Sequence, residues 1–242
     1  VETYWEGNSC KAYSPQIFAE DAENISIQGR GILEGQGEVW WNLVWSRKPD
    51  KPRPRMIGLQ DCKNVLIEGI TLQNSPSWTI NPVFCENVTV GNVIIKNPPH
   101  SPNTDGINPD ACKNVHISNC HIDVGDDCIA IKSGVETAHR RESCENITIT
   151  NCTMVHGHGG VVIGSEMSGC VRNVAISNCI FQGTDRGIRI KTRRGRGGVV
   201  EDIRVNNIIM EKVFCPFVLN MYYLTDSTKK EQYIWDENPY PV

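Results

Sequence analysis

The chain has 242 residues, 39% of them hydrophobic and 21% charged, with a formal net charge of −4. That length suits one large all-β domain or two small ones, and the composition excludes collagen, wholesale disorder and a membrane-spanning helix, because no apolar run nears the ~18 residues required. The balance of charge predicts no polyanionic partner by itself, so an acidic ligand would need locally concentrated positive charge.

Read from the N-terminus, one phrase recurs. It appears as Ala22-Glu-Asn24-Ile-Ser-Ile, Cys62-Lys-Asn64-Val-Leu-Ile, Cys85-Glu-Asn87-Val-Thr-Val and Cys112-Lys-Asn114-Val-His-Ile. It continues as Cys144-Glu-Asn146-Ile-Thr-Ile, Val171-Arg-Asn173-Val-Ala-Ile and a degenerate Val200-Glu-Asp202-Ile-Arg-Val. The markers at 64, 87, 114, 146, 173 and 202 are 23, 27, 32, 27 and 29 residues apart. Such a period, with β-branched alternation, is the mark of a solenoid. Between the first two copies, the segment from Trp40 to Pro54 breaks the period and reads as an inserted loop. It carries Trp40, Trp41 and Trp45, then a basic, proline-rich run ending at Arg55.

The copy at Asn114 resolves into three strand-like pieces: Val115-His-Ile117, Cys120-His-Ile122 and Cys128-Ile-Ala-Ile131. The third piece keeps its register, with Ile129, Val161, Ile188 and Phe217 each fifteen residues after their marker. Alternation of apolar and polar residues buries one face of each strand. The predicted architecture is an all-β, right-handed parallel β-helix of about three strands per coil, forming one domain over 1–242. A start at Val1 and an end at Tyr240-Pro-Val242 without an evident cap predict a chain cropped at both ends.

In such a coil equivalent positions stack. Asn64, Asn87, Asn114, Asn146 and Asn173 are expected to form a ladder at one corner, a reading preferred over glycosylation of the sequons that open at Asn24, Asn87, Asn146 and Asn151. Eleven cysteines, an odd count, cannot all pair within the chain, and with no CxxC their spacings fit no zinc pattern. Cys62, Cys85, Cys112 and Cys144 share one position, and Cys120, Cys152 and Cys179 another; stacked buried thiols are expected, favouring a reducing, cytoplasmic compartment over secretion or the periplasm.

Four polar clusters depart from the ladder, all around the third strand of consecutive coils: Asn103-Thr-Asp105-Gly106, Gly125-Asp126-Asp127-Cys128, Gly157-His158-Gly159 and Arg189-Ile-Lys191. Each alone reads as a turn or a surface strand. At ~4.8 Å per coil, however, the four fall within ~15 Å along one column, the scale of a cleft for a few sugar units. Arg189 and Lys191 flank Ile190 and so share a face. Glycoside hydrolysis needs two carboxyl groups in different protonation states, and crowding Asp105, Asp126 and Asp127 would raise at least one pKa. Arg189 and Lys191 suit the carboxylate of an acidic sugar, and His158 could tune an aspartate. Six basic residues between Arg186 and Arg196 raise the rival of a nucleic-acid patch, but the register puts only Arg189 and Lys191 in the column; the others are expected on the following loop, widening a positive funnel.

At these four clusters the sequence resembles the polygalacturonase family of glycoside hydrolases, whose signature is Asn-Thr-Asp, Asp-Asp, Gly-His-Gly and Arg-Ile-Lys in this order. The resemblance implies an inverting hydrolase of α-1,4-linked galacturonate in pectin, with no metal or other cofactor and with neither nucleic acid nor membrane as partner. It casts Asp126 as general acid and Asp105 and Asp127 as the pair that activates water. His158 supports the acid, Asn103, Arg189 and Lys191 bind substrate, and Tyr223 contacts sugar. Relatives that cut rhamnogalacturonan tend to lack this histidine, so His158 favours homogalacturonan; a rhamnogalacturonan or xylogalacturonan hydrolase of the same family is the alternative. Trp5-Glu-Gly7 and Asn74-Ser-Pro-Ser-Trp78-Thr-Ile80 look like bacterial members, many of them exo-acting. A calcium-dependent pectate lyase and a non-catalytic glycan-binding β-helix are the rival readings.

Overall fold

A computed structural model of the protein describes residues 1–46 and 49–223. Arg47 and Lys48 of the inserted segment, and the end at Tyr240–Val242, lie outside the described residues. The fold is a right-handed parallel β-helix, the hand that parallel crossovers adopt. The coil that begins at Asn114 has the strands Lys113–Ser118, His121–Val124 and Asp127–Ile131, matching the three predicted pieces. Its neighbours repeat them as Cys144–Thr150, Thr153–His156 and Gly159–Gly164. In the following coil the first two merge into one bent strand, Val171–Gln182, followed by Arg186–Lys191.

Registers hold from coil to coil because inward side chains stack on like partners. Ile67, Val90, Ile117, Ile149 and Ile176 form one inward column, and Ile129, Val161 and Ile188 another, all buried. Full burial of such a side chain contributes about 1.5–3 kcal/mol, and a one-residue slip would turn every one of them to solvent.

The corner ladder is built as expected. Asn64 donates its side-chain amide to Asn24 at 3.1 Å, and Asn87, Asn114, Asn146 and Asn173 each donate to the preceding rung at 3.0–3.1 Å. All six sit at φ between 54° and 60°, a left-handed conformation that asparagine tolerates better than other side chains. All eleven cysteines are free. Those of the first column lean on carbonyls of the preceding coil, as Cys112 does on Pro82 O at 3.3 Å.

The inserted segment is not all loop. Glu38–Ser46 is an α-helix, which buries Trp41 against the coils with its indole Nε1 donating to Ser75 O at 2.9 Å. Of its three tryptophans only Trp41 is buried, and Trp45 faces solvent.

Candidate active site

Asp105 lies in the long connection between Ile94–Lys96 and Ile107, and Asp126-Asp127 opens the third strand of the next coil. Carboxylate oxygens of Asp105, Asp126 and Asp127 all come within 4.8 Å of one another. Asp105 and Asp127 are buried, whereas the Asp126 side chain remains 17% exposed. Asn108 donates to Asp105 Oδ2 at 2.9 Å, while Asp105 Oδ1 and Asp127 Oδ1 are buried with no partner.

Burial first, then repulsion from Asp126 and Asp127, pushes the Asp105 carboxyl well above the usual range. Burial acts the same way on Asp126 but is outweighed by the His158 ring, 3.2 Å away, so its carboxyl stays below the usual range. Asp126 also accepts from the Asp127 amide at 3.0 Å and the Asn103 side chain at 3.4 Å. Crowding therefore lifts a carboxyl, as the sequence predicts, but the lifted one is Asp105 rather than Asp126. The cause is partner chemistry: Asp105 has a neutral amide, Asp126 an imidazole.

On the strand Arg186–Lys191, Ile188 and Ile190 face the core and Arg189 and Lys191 face the cleft. Lys191 Nζ donates to Asp127 Oδ2 at 2.7 Å, and an Arg189 Nη lies 3.9 Å from Asp127 Oδ1. Burial opposes the Lys191 charge, but Asp127 raises its pKa nonetheless. Both cations sit over the Tyr223 ring, at 5.3 Å for Arg189 and 4.9 Å for Lys191, consistent with the expectation that Tyr223 belongs to the site.

The Gly-His-Gly turn is fastened to Asp126 through the backbone. His158 N donates to Asp126 O at 3.0 Å, and Gly157, at φ 77°, passes so close that a Cβ would lie 2.4 Å from the same oxygen. The hydrogen bond to Asp126 is the first cause holding the His158 pKa above its ordinary value. Every predicted site residue therefore converges.

The expected positive funnel is not present as such. Glu136 binds Arg193 and lies 3.1 Å from Arg196, while Arg186 lies 3.5 Å from Asp185. Glu136 offsets part of the Arg193 and Arg196 charge, a contact that sequence spacing does not reveal, and Arg186 opens the strand rather than lying on the loop after it.

The cleft has about 510 Å³ of open space and is also lined by Glu6, Trp78, Lys132, Ser165 and Glu166, which the motifs do not single out. Arg53 was missed as well. It donates to Pro76 O, Pro102 O and Asn103 Oδ1 at 2.7–2.9 Å, orienting Asn103, and burial lowers its pKa to about 10. Its signal was the arginine–proline run of the insertion. Trp5 and Trp78, noted in two separate sequence stretches, stack at 4.5 Å with an interplanar angle of 8°.

The profile of glycosyl hydrolases family 28 matches residues 3–234. A probable polygalacturonase of Vitis vinifera is 36% identical over 92% of this chain and 47% of its own length. An endo-polygalacturonase of Pectobacterium carotovorum subsp. carotovorum is 35% identical over 90% of this chain and 54% of its own. Among solved structures, a hyperthermoactive exopolygalacturonase from Thermotoga maritima superposes with a TM-score of 0.80 at 32% identity, covering 90% of this chain and 59% of that one. The chain spans about half the length of the curated relatives it matches. With that span and that identity, the chain belongs to glycosyl hydrolases family 28.

Proposed function

We propose that the protein hydrolyses α-1,4-galacturonosyl linkages of galacturonan. The observation that carries this reading is the juxtaposition of three carboxylates within 4.8 Å with Lys191 and Arg189. The carboxylates supply proton transfer and water activation, and the cations recognise the acid group of the sugar. Asp126, the most exposed of the three, reaches the leaving oxygen as general acid. The buried, unpartnered Oδ1 atoms of Asp105 and Asp127 hold and deprotonate water. Acid catalysis requires the proton on Asp126, with its neighbours Asp105 and Asp127 ionised to activate the water. Arg189, Lys191, Asn103 and Tyr223 position the substrate.

The 4.8 Å spacing favours a second reading. Inverting enzymes usually separate their two carboxyl groups by about 6.5–9.5 Å and retaining enzymes by about 5–5.5 Å. On spacing alone Asp127 would be a nucleophile. Inversion is preferred because Asp127 Oδ2 is already engaged by Lys191 at 2.7 Å and the side chain is buried, which holds it back from direct attack. Exo-action is the finer reading, supported by the N-terminal hairpin whose turn stands in the cleft.

The test is product formation from polygalacturonate in EDTA, following reducing ends, ultraviolet absorbance and the anomeric proton signal together. New reducing ends without unsaturated product, appearing first as the β anomer, are expected. Unsaturated product only after calcium is restored would make the protein a lyase, and a first-formed α anomer would establish the nucleophile reading. Release of one size of short product would support exo-action, and a ladder of sizes would refute it.

A further inference from the structure

One part of the cleft wall is not made by the coils. The strands Glu2–Trp5 and Asn8–Lys11 pair antiparallel with Trp5 opposite Asn8, leaving Glu6-Gly7 as a two-residue turn. Glu6 and Gly7 have φ of 48° and 78°, the type I′ pattern, whose first position ordinarily takes Asn, Asp or Gly. A glutamate there is held in a conformation its side chain disfavours, which points to a use for that side chain.

The hairpin is firmly seated. Trp5 stacks on Trp78, and Arg55 donates to Thr3 Oγ1 at 3.1 Å and to Tyr4 O, with its guanidinium 5.3 and 5.6 Å from the two indole rings. Gly7 passes so close to the following loop that a Cβ would lie 2.6 Å from Val135 N. This seating brings Glu6 into the cleft that holds the aspartates.

Facing it on the cleft lining are two charges the proposed hydrolysis leaves unused. Lys132 Nζ donates to Glu166 Oε2 at 2.6 Å, with both side chains at most 6% exposed. Ser165 donates to the other Glu166 oxygen at 2.8 Å, and Lys132 sits 5.1 Å over the Trp78 ring. A buried ion pair is often no more stable than apolar residues in its place, so stability alone gives it little reason to be there. The pair cancels in charge, and Glu6 adds a carboxylate with no cation bonded to it among the described residues. At the other end of the cleft Lys191 and Arg189 supply two cations beside Asp127. A sugar carboxylate is repelled here, whereas ring hydroxyls donate well to carboxylates.

We propose that Glu6, together with Glu166 and Lys132, forms a second sugar subsite that holds a unit neighbouring the scissile bond by its ring hydroxyls. This rests on the galacturonan-hydrolase reading, and it divides the labour of recognition: acid group at Arg189 and Lys191, hydroxyls at Glu6.

The test is Glu6→Asn in the full chain. Asn-Gly is a preferred type I′ pair, so the hairpin survives while the long carboxylate is lost. On tri- and tetragalacturonate, KM is expected to rise about tenfold with kcat within about twofold, as for a lost hydrogen bond in binding. Glu6→Gln should recover most of the loss, and the near-ultraviolet circular dichroism of the Trp5–Trp78 stack should not change. An unchanged KM with an intact stack would overturn the proposal, as would a loss confined to kcat. If the parent binds oligogalacturonate by calorimetry without cleaving it, the hydrolase reading fails; the subsite is then judged by the same tenfold change in Kd.

Discussion

The asparagine corner and the aspartate cleft are built on the same coils, yet they solve opposite problems. At the corner, like residues stack on like, and each amide from Asn64 to Asn173 donates to the rung before it. In the cleft, unlike residues stack. Asp105, Asp126, His158 and Lys191 come from four successive coils, and Asp105 Oδ1, Asp127 Oδ1 and Arg189 Nε are left buried without hydrogen-bond partners. Repetition satisfies its own polar groups, whereas departures from it leave groups free to take a ligand. An unsatisfied buried polar atom costs about 1–3 kcal/mol, which the repeated part of the fold must offset.

That contrast can be broken from either side. The largest effect is expected in the cleft: Asp126→Asn should lower kcat by about 10²–10⁴ while thermal unfolding is unchanged or slightly lowered, since the carboxylate that His158 holds ionised is gone. A variant retaining full activity would remove Asp126 from the chemistry. Lys191→Met tests the residue where the two regimes meet. It strips the buried Asp127 of its cation, so both activity and stability should fall, the latter by about 3 kcal/mol in denaturant melts. A loss of activity alone would show Asp127 to be satisfied by other means. At the corner, Asn114→Ala should cost about 1–2 kcal/mol through its left-handed backbone and two rung bonds. The rate on oligogalacturonate at 25 °C should stay put. If that rate falls in step with stability, corner and cleft are not independent.

Much of this was legible in the sequence because the repeat is local and periodic. The marker asparagines located the corner, and the fifteen-residue offset located the third strand, so four clusters could be assigned to one column before any coordinates. What stayed hidden depends on contacts that spacing does not encode. The Lys132–Glu166 pair joins residues 34 apart in neighbouring coils, and Arg193 meets Glu136 across 57. The helix Glu38–Ser46 lies inside an aperiodic stretch, where three tryptophans gave no period of their own to follow. The proton preference for Asp105 over Asp126 turns on burial and on which partner is charged, and neither can be counted from a motif. Trp5-Glu-Gly7 gave no hairpin signal, because glutamate is not a residue that type I′ turns ordinarily take, and nothing in it said that the turn would reach the cleft.

The position of the added residues in each coil has a consequence for how such a protein can change. In the coil begun at Asn87 they fall between the second strand, Ile94–Lys96, and Ile107, on the connection that carries Asn103 and Asp105. In the coil begun at Asn114 they follow Lys132, which still pairs with Asp110 of the coil before, and supply Glu136. The two corners therefore lengthen separately, each leaving the inward columns in step. An ancestral solenoid could exchange one bank of its channel by insertion or deletion while the opposite bank and the bed between them were inherited intact, and a designer regrafting loops here inherits the same freedom.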